Sequence, residues 1–594
     1  MLRKVFNYLQ AGDFLLFIAT AIMINFAVAD EFNTEGPYGI LYFDTAGPFT
    51  VTDLNSSLSG DVNLDETINI QDILLVINHV LGNNNLTDDQ LVQSDVNNDS
   101  IIDILDIISI VNFILYPVPM GWDFEEEWTG SDSYIFVQYD PAAPTSTALW
   151  LSSTRETLLN NSPMNVHYFF ISNRTMYESD VQMVKDDFDE ILSGMSADLQ
   201  DHWNNHLHFV NTRTSELDNW LADALAGKAA LAIDQSQKLR QIGYLGNPAT
   251  FQGTYISYLA HEAVYFDYEY NIFSEDESLY DEITIFDRTH YTGGWAASIA
   301  DTIQIPTEFS SLVYNQMKVE LLRGCPNSNM DYDDDGCDDY DRIAHMYLCD
   351  LDGSNCFEIT RWITPFDRQP HSLTDITPFL AFFRANGGQQ KLIKFQESGW
   401  PNSLLTLKIR LYYGQNSNGV EREFTPLWNG TVQFNPDYGN NRPPQIFEVP
   451  SNATKVQFVA YLTGHGWGSA GCFNCCEFCN SKHIFSINGG DYEFNRAHPN
   501  ASDNNYCMEI ETIAQGVIPN QYGTWGYGRA GWCPGQDVAP YVVDITEHVI
   551  LGEENVIDYE ACRVSGNSCV TPPTCQGDGY CPEVAFSSYI IVSY

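Results

Sequence analysis

Leu405, Leu407, Ile409 and Leu411 alternate with Thr406, Lys408, Arg410 and Tyr412. Period-two alternation gives a strand one apolar and one polar face. Short runs of similar character recur at His345–Leu348, Lys391–Gln396, Val456–Leu462, His483–Ile487, Tyr541–Ile545 and Tyr589–Tyr594, separated by Gly, Pro and Asn turns. They predict antiparallel sheets arranged as sandwiches or jelly rolls over residues 282–594. About 310 residues is too much for one sandwich. The Gln415–Gly419 loop is the expected joint between units at 282–418 and 420–594. Residues 130–275 read differently. Ser133–Tyr139 and Val166–Ile171 have strand length and composition, whereas Val181, Val184, Phe188, Ile191 and Leu192, then Leu217, Trp220, Leu221, Ala224 and Leu225, recur at helical spacing. An α/β domain follows, thioredoxin-like in outline but without a cysteine. His261-Glu262 does not make a zinc-protease motif, because Tyr265 stands where the second histidine is needed. The domain is expected to pack or to act as a spacer, with substrate-protein binding as the alternative.

A second pattern is an internal repeat. Two acidic loops between residues 60 and 117 each lead into an apolar helical run, Ile73–Leu81 and Ile107–Leu115. The first loop places oxygen side chains at Asp61, Asn63, Asp65, Asn69 and Asp72, the second at Asp95, Asn97, Asp99, Asp103 and Asp106. Both sets fall at positions 1, 3, 5, 9 and 12 of a twelve-residue loop, the spacing that wraps one calcium ion. Asp replaces Glu at position 12, and position 6 lacks glycine. In that form the repeat resembles a type I dockerin, which implies a cohesin-type partner. Calcium here is expected to be structural, because so small a module has little core of its own.

Composition narrows the class. Lys and Arg number 27 against 79 Asp and Glu, a net charge of −52 that repels a phosphate backbone and excludes nucleic-acid binding. A hydrophobic content of 44% is too high for a disordered acidic polymer. Arg3 and Lys4 precede an apolar run from Phe14 that ends Ala27-Val28-Ala29, the form of a signal peptide over residues 1–29. No other stretch approaches a bilayer span. All fourteen cysteines lie between Cys325 and Cys581, so disulfides and a secreted, extracellular or periplasmic protein are expected.

Five ordered segments in the C-terminal half carry a further resemblance: CDDYDRIAHMYL (337–348), RWITPF (361–366), IKFQESGW (393–400), CCEFCNSKH (475–483) and GRAGWCPG (528–535). They resemble the peptide-N-glycosidase F family. The resemblance implies two eight-stranded antiparallel jelly rolls side by side, with an active site at their interface. It implies hydrolysis of the amide between the innermost N-acetylglucosamine and asparagine of N-linked glycoproteins or glycopeptides, leaving aspartate and releasing a glycosylamine. By the same resemblance Asp341, Glu477 and Glu397 are the catalytic carboxylates. Arg342, Arg529, Trp400, His465 and Trp467 are substrate contacts. Here Phe478 replaces a family tryptophan, and His465 and Trp467 stand in exchanged order.

The chemistry agrees. Amide hydrolysis without a catalytic cofactor or a Ser or Cys nucleophile needs a carboxylate to activate water and donors for the oxyanion. Crowded acids also push one another's pKa upward. Cys475 and Cys479 flank Glu477, and a bridge between them presents it on a tight loop. Cys325–Cys337 and Cys507–Cys533 match family pairs, while Cys349–Cys356 suits a hairpin clip. Cys472, Cys476, Cys562, Cys569, Cys575 and Cys581 stay unassigned. The rival reading of Cys472, Cys475, Cys476 and Cys479 is a zinc cluster. Asp331, Asp333, Asp335 and Asp339 form a third candidate calcium loop, although Arg342 stands at its position 12. Two other functions compete: a non-catalytic glycan-binding protein on the same scaffold, and a copper monooxygenase, against which stands that the H-x-H pair His206 and His208 lies in the α/β region and no His-rich or Met-bearing cluster occurs in the sandwiches.

Overall fold

The computed structural model describes residues 31–594 except 56–59, 66, 98–100, 116–120, 308–312, 327–336, 415–419, 468–469, 491 and 576–579. The expected signal segment, the joint at 415–419, and Asp99, Asp331, Asp333 and Asp335 lie outside the described residues.

The C-terminal half is mainly β. Two four-stranded antiparallel sheets come first. One has the order His371–Asp375, Tyr314–Gly324, Asn402–Tyr413, Tyr280–Thr292, the other Phe357–Ile363, Ile343–Cys349, Gln390–Glu397, Ser298–Gln304. Leu405, Leu407, Ile409 and Leu411 are fully buried between them, as the alternation predicts. The opposite face of that strand departs from expectation, because Thr406 and Arg410 are buried too. Arg410 pairs with Glu320 at 2.6 Å, Lys318 with Glu275 at 2.7 Å, and Phe273 stacks on His371. The preceding domain covers this face, so its charges are neutralised in place instead of being hydrated.

Two further sheets follow. One has the order Glu421–Pro426, Glu583–Ser593, Lys455–His465, Tyr541–Asp544, with Thr431–Gln433 beside the second strand. The other runs Gln445–Glu448, Glu554–Ser565, Ser481–Ile487, Tyr492–His498, with Ser568–Val570 at its margin. The two sheet pairs meet in a shared core, where Val459, Tyr461, Tyr589 and Ile591 pack with Phe379 and Leu380. Arg361 crosses this seam to Thr463 Oγ1 at 2.6 Å and to the Ala585 carbonyl at 2.9 Å, with its charge balanced by Glu358.

The α/β domain is built on a five-stranded sheet, Leu207–Phe209, Val166–Ser172, Ser133–Tyr139, Ala230–Ile233, Leu239–Arg240. Its first three strands are parallel and the last two join antiparallel. Val181, Val184, Phe188 and Leu192 bury one face of the helix Tyr177–Ser193 against it. The expected start at residue 130 is corrected. Ala46, Phe49, Val51, Trp122 and Phe124 share a core with Tyr134 and Phe136, and Thr50–Val51 pairs antiparallel with Trp122–Asp123. The acidic-loop repeat is therefore an insertion carried on a two-stranded stem.

Within the insertion, helices Ile70–Val80, Asp88–Ser94 and Ile104–Leu115 enclose a small core of Val62, Val76, Leu86 and Ile110. Asp72 accepts from the amides of Asn63 and Asn69, and Asp106 from those of Asn97 and Asp103. The two loops thus close on their last acid in the same way.

Candidate active site

Three elements converge on one arginine at the seam. Asp341 precedes the strand Ile343–Cys349 of the first sheet pair. Its neighbour Arg342 is pinned at both backbone atoms by Thr364 of the RWITPF segment, whose hydroxyl accepts from the Arg342 amide and whose amide donates to the Arg342 carbonyl, each at 2.8 Å. Glu477 comes from the second pair, inside the small loop closed by Cys475–Cys479. Arg529 comes from the long loop closed by Cys507–Cys533. Its Nε lies 3.3 Å from Glu477 and its Nη2 3.6 Å from Asp341. Nη1 donates to the carbonyls of Thr524, Trp525 and Tyr527, and Phe478 and Trp532 flank the guanidinium.

Arg529 is shut off at 1% side-chain exposure, while Asp341 at 20% and Glu477 at 13% keep an open edge. Burial, followed by the charge of Asp341, pushes the Glu477 carboxyl up to about 7, against the pull of Arg529. Burial also raises Asp341, opposed by Arg529 and Arg342 on either side. Two acids that share one cation cannot both ionise freely, so the pair favours a single negative charge near neutral pH. The partner flanked by two arginines is the better placed to carry it.

Two expected site residues do not join the cluster. Glu397 is fully buried and forms a bidentate pair with Arg323 at 2.7 and 2.8 Å, so it has no face for water or sugar. It props the strand behind the site. His465 is also buried, stacked on Trp532 and bonded to Thr463 Oγ1 at 2.7 Å; burial holds it neutral, well below the ordinary imidazole range. Arg529, expected as a substrate contact, is 1% exposed and its guanidinium is bonded to protein groups. Trp400 and Trp467 are exposed, and Trp467 lies near Tyr580.

The sequence reading missed an aromatic rim. Arg342 makes a bidentate pair with Asp338 and lies under the rings of Trp295 and Tyr340, both more than half exposed. Gly399 lets the guanidinium approach: its backbone is left-handed, and a Cβ there would sit 2.6 Å from Arg342 Nε. Tyr340 was within sight beside Asp341, but Trp295 sits 46 positions before Asp341, in the turn that connects Tyr280–Thr292 of one sheet to Ser298–Gln304 of the other, with no motif around it.

The described disulfides are Cys325–Cys337, Cys349–Cys356, Cys472–Cys575, Cys475–Cys479, Cys507–Cys533 and Cys562–Cys569. Cys476 and Cys581 carry free thiols. These pairings replace the zinc-cluster alternative, because Cys472 is bridged to Cys575 and Cys475 to Cys479, which leaves Cys476 as the one free thiol of the four. His208 lies in the α/β sheet, bonded to Asp53 and His167, and His206 stacks on His167, so neither belongs to a sandwich site. Asp339 is exposed. Among the described residues no group of three His, Cys, Asp or Glu is assembled to hold a metal, and no helix is long and apolar enough to cross a membrane.

Residues 434–590 match the family described as Peptide-N-glycosidase F, C terminal, and residues 59–115 match the Dockerin type I domain. The peptide-N(4)-(N-acetyl-beta-D-glucosaminyl)asparagine amidase F of Elizabethkingia miricola is 24% identical over 335 residues, which cover 52% of this chain and 82% of that protein. The structure of PNGase F from Flavobacterium meningosepticum, a glycosylasparaginase, is 20% identical with a TM-score of 0.40, covering 53% of this chain and 96% of that one. A structure of PNGF-II is 14% identical with a TM-score of 0.38, covering 62% and 74%. The C-terminal half is thus peptide-N-glycosidase F-like, and a type I dockerin match lies near the N-terminus. The likeness supports an N-glycan amidase.

Proposed function

We propose that the protein is a secreted peptide-N-glycosidase that hydrolyses the N-acetylglucosamine–asparagine amide of N-linked glycoproteins or glycopeptides. The observation that carries this is the Asp341–Arg529–Glu477 cluster, two partly open carboxylates held by one buried arginine across the seam of paired sheets. Ionised Asp341 orients and deprotonates water, and protonated Glu477 donates a hydrogen bond or proton to the amide as it becomes tetrahedral. Arg529 keeps the acids at fixed separation and limits their repulsion. Arg342 and the rim of Trp295, Tyr340 and Trp400 offer the cation and ring faces that pack on sugars. The scaffold is read as two jelly rolls, of which the first has eight strands.

The dockerin-like insertion is read as a calcium-folded tether for a cohesin-type partner. Asp61, Asn63, Asp65, Asn69 and Asp72, and Asp95, Asn97, Asp103 and Asp106 with Asp99, would hold the ions, which supply folding energy and no chemistry to the amidase. Oxygen-only side chains at loop spacing suit a hard cation. Six disulfides among the described residues fit an oxidising compartment. Incubation with an N-glycoprotein, then mass spectrometry of the former glycosylation site, tests the activity. Conversion of Asn to Asp with loss of the whole glycan is the expected result; unchanged glycopeptide, with the protein folded, refutes it.

A further inference from the structure

The α/β domain is more than a neighbour of the catalytic half. Phe366, Cys507, Ile513, Val517, Ile518, Trp525 and Cys533 lie in its hydrophobic core. Most of these belong to the disulfide-closed loop that also carries Arg529. Where the two bodies meet, a cleft of about 620 Å³ opens. One wall is Asn160, Asn161, Tyr258 and His261 of the α/β domain, the other Asn505, just before the loop, with Glu509 and Glu511 inside it.

The lining has a definite chemistry. Amides on one wall face the carboxylates of Glu509 and Glu511 on the other, and no Lys or Arg lines the cleft, so an anionic ligand would meet repulsion without a counter-charge. His261 is 4% exposed, its Nδ1 has no hydrogen-bond partner, and its ring lies flat against Tyr258 at 5.1 Å. Burial pushes this imidazole down to about 4, against the pull of Asn520, so it is neutral at physiological pH and adds no positive charge to the lining. Side-chain amides, two carboxylates and the Tyr258 ring together match the hydroxyls and apolar C–H face of a neutral sugar. An extended peptide would instead favour an exposed strand edge, and this cleft is walled by helix and loop.

We propose that this cleft is a carbohydrate subsite for neutral hexose residues, used by the outer part of the substrate glycan. The identity of the sugar rests on the amidase reading; the existence of the site does not. The cleft is coupled to the catalytic loop at short range. His261 and Trp525 lie 6.4 Å apart, the Trp525 carbonyl accepts from Arg529, and the Cys507 amide donates to Gly526 three positions before Arg529.

The test titrates the full-length protein with a free neutral high-mannose oligosaccharide, followed by protein-observed and ligand-observed NMR. Saturable binding that weakens about tenfold in an Asn160→Ala/Glu511→Ala double variant is expected, the loss of two or so hydrogen bonds. A second readout compares kcat/KM for a glycopeptide bearing the full glycan with one bearing only the two innermost sugars. The variant should lose its preference for the long glycan through KM. If the wild type does not bind the free oligosaccharide, or the double variant binds it equally well with an unchanged melting temperature, the subsite is refuted. Binding without glycan release would leave the subsite standing and overturn the amidase reading instead.

Discussion

Asp341 and Glu477 share Arg529 yet are not interchangeable, and their variants should separate. Asp341→Asn removes the base while keeping shape; a loss of about 10² or more in kcat with an unchanged melting curve is expected. Glu477 gives the pH profile its upper edge. If it acts protonated, kcat/KM should fall as pH rises through about 7, and that limb should vanish, at a lower plateau, in Glu477→Gln. The stability sign runs the same way. A carboxyl raised by burial contributes most below its unfolded value near 4.5 and loses that contribution as pH rises through 7. Glu477→Gln should therefore raise the melting temperature more at pH 8 than at pH 5. The chain's motifs carried these two residues legibly, since each acid sits in a short segment with its own cysteines or arginine. Glu397 and His465 were misread because their partners are distant in sequence. Arg323, 74 positions earlier, claims both oxygens of Glu397, and Trp532 covers His465. Local spacing cannot register such a claim.

Strands were the most legible elements. Leu405 to Leu411 fall where alternation puts them, but alternation cannot tell a solvated polar face from one roofed by another domain, and Arg410 and Thr406 belong to the second kind. The helix Leu259–Phe273 makes the same point. Its Glu262, in a segment given no role, accepts from Arg368 Nη1, Asn520 Nδ2 and the Gly243 amide, each at 2.9 Å, with no exposed surface. Arg368 and Asn520 belong to the catalytic half. Glu262→Gln should remove the buried carboxylate that Arg368, Asn520 and Gly243 share and cost about 3–5 kcal/mol. Chemical denaturation of the full chain measures it, and a change below about 1 kcal/mol would show that Arg368 has other compensation. A chain starting at residue 280 would bare Trp525, Ile513 and Val517 and should aggregate or release glycan far more slowly than the full chain.

At the scale of the molecule, the dockerin-like insertion and the amidase body are expected to be thermodynamically separate. Its four-residue buried core is too small to hold alone. Chelation should melt it, and Asp61→Ala and Asp95→Ala should each weaken calcium binding, as followed by calorimetry. Deletion of 60–117 should leave glycan release within about twofold, because the Thr50–Val51 and Trp122–Asp123 stem stays paired below the cut. Loss of catalysis in that folded deletion would make the insertion part of the enzyme. The stem has one more consequence. A docking module at a chain end is lost to a single proteolytic nick in its linker. This one leaves and re-enters the same sheet, so one severed connector still leaves the catalytic body hanging from its partner by the other. Detachment takes two cuts, a redundancy that would serve the proposed secreted hydrolase wherever proteases are present.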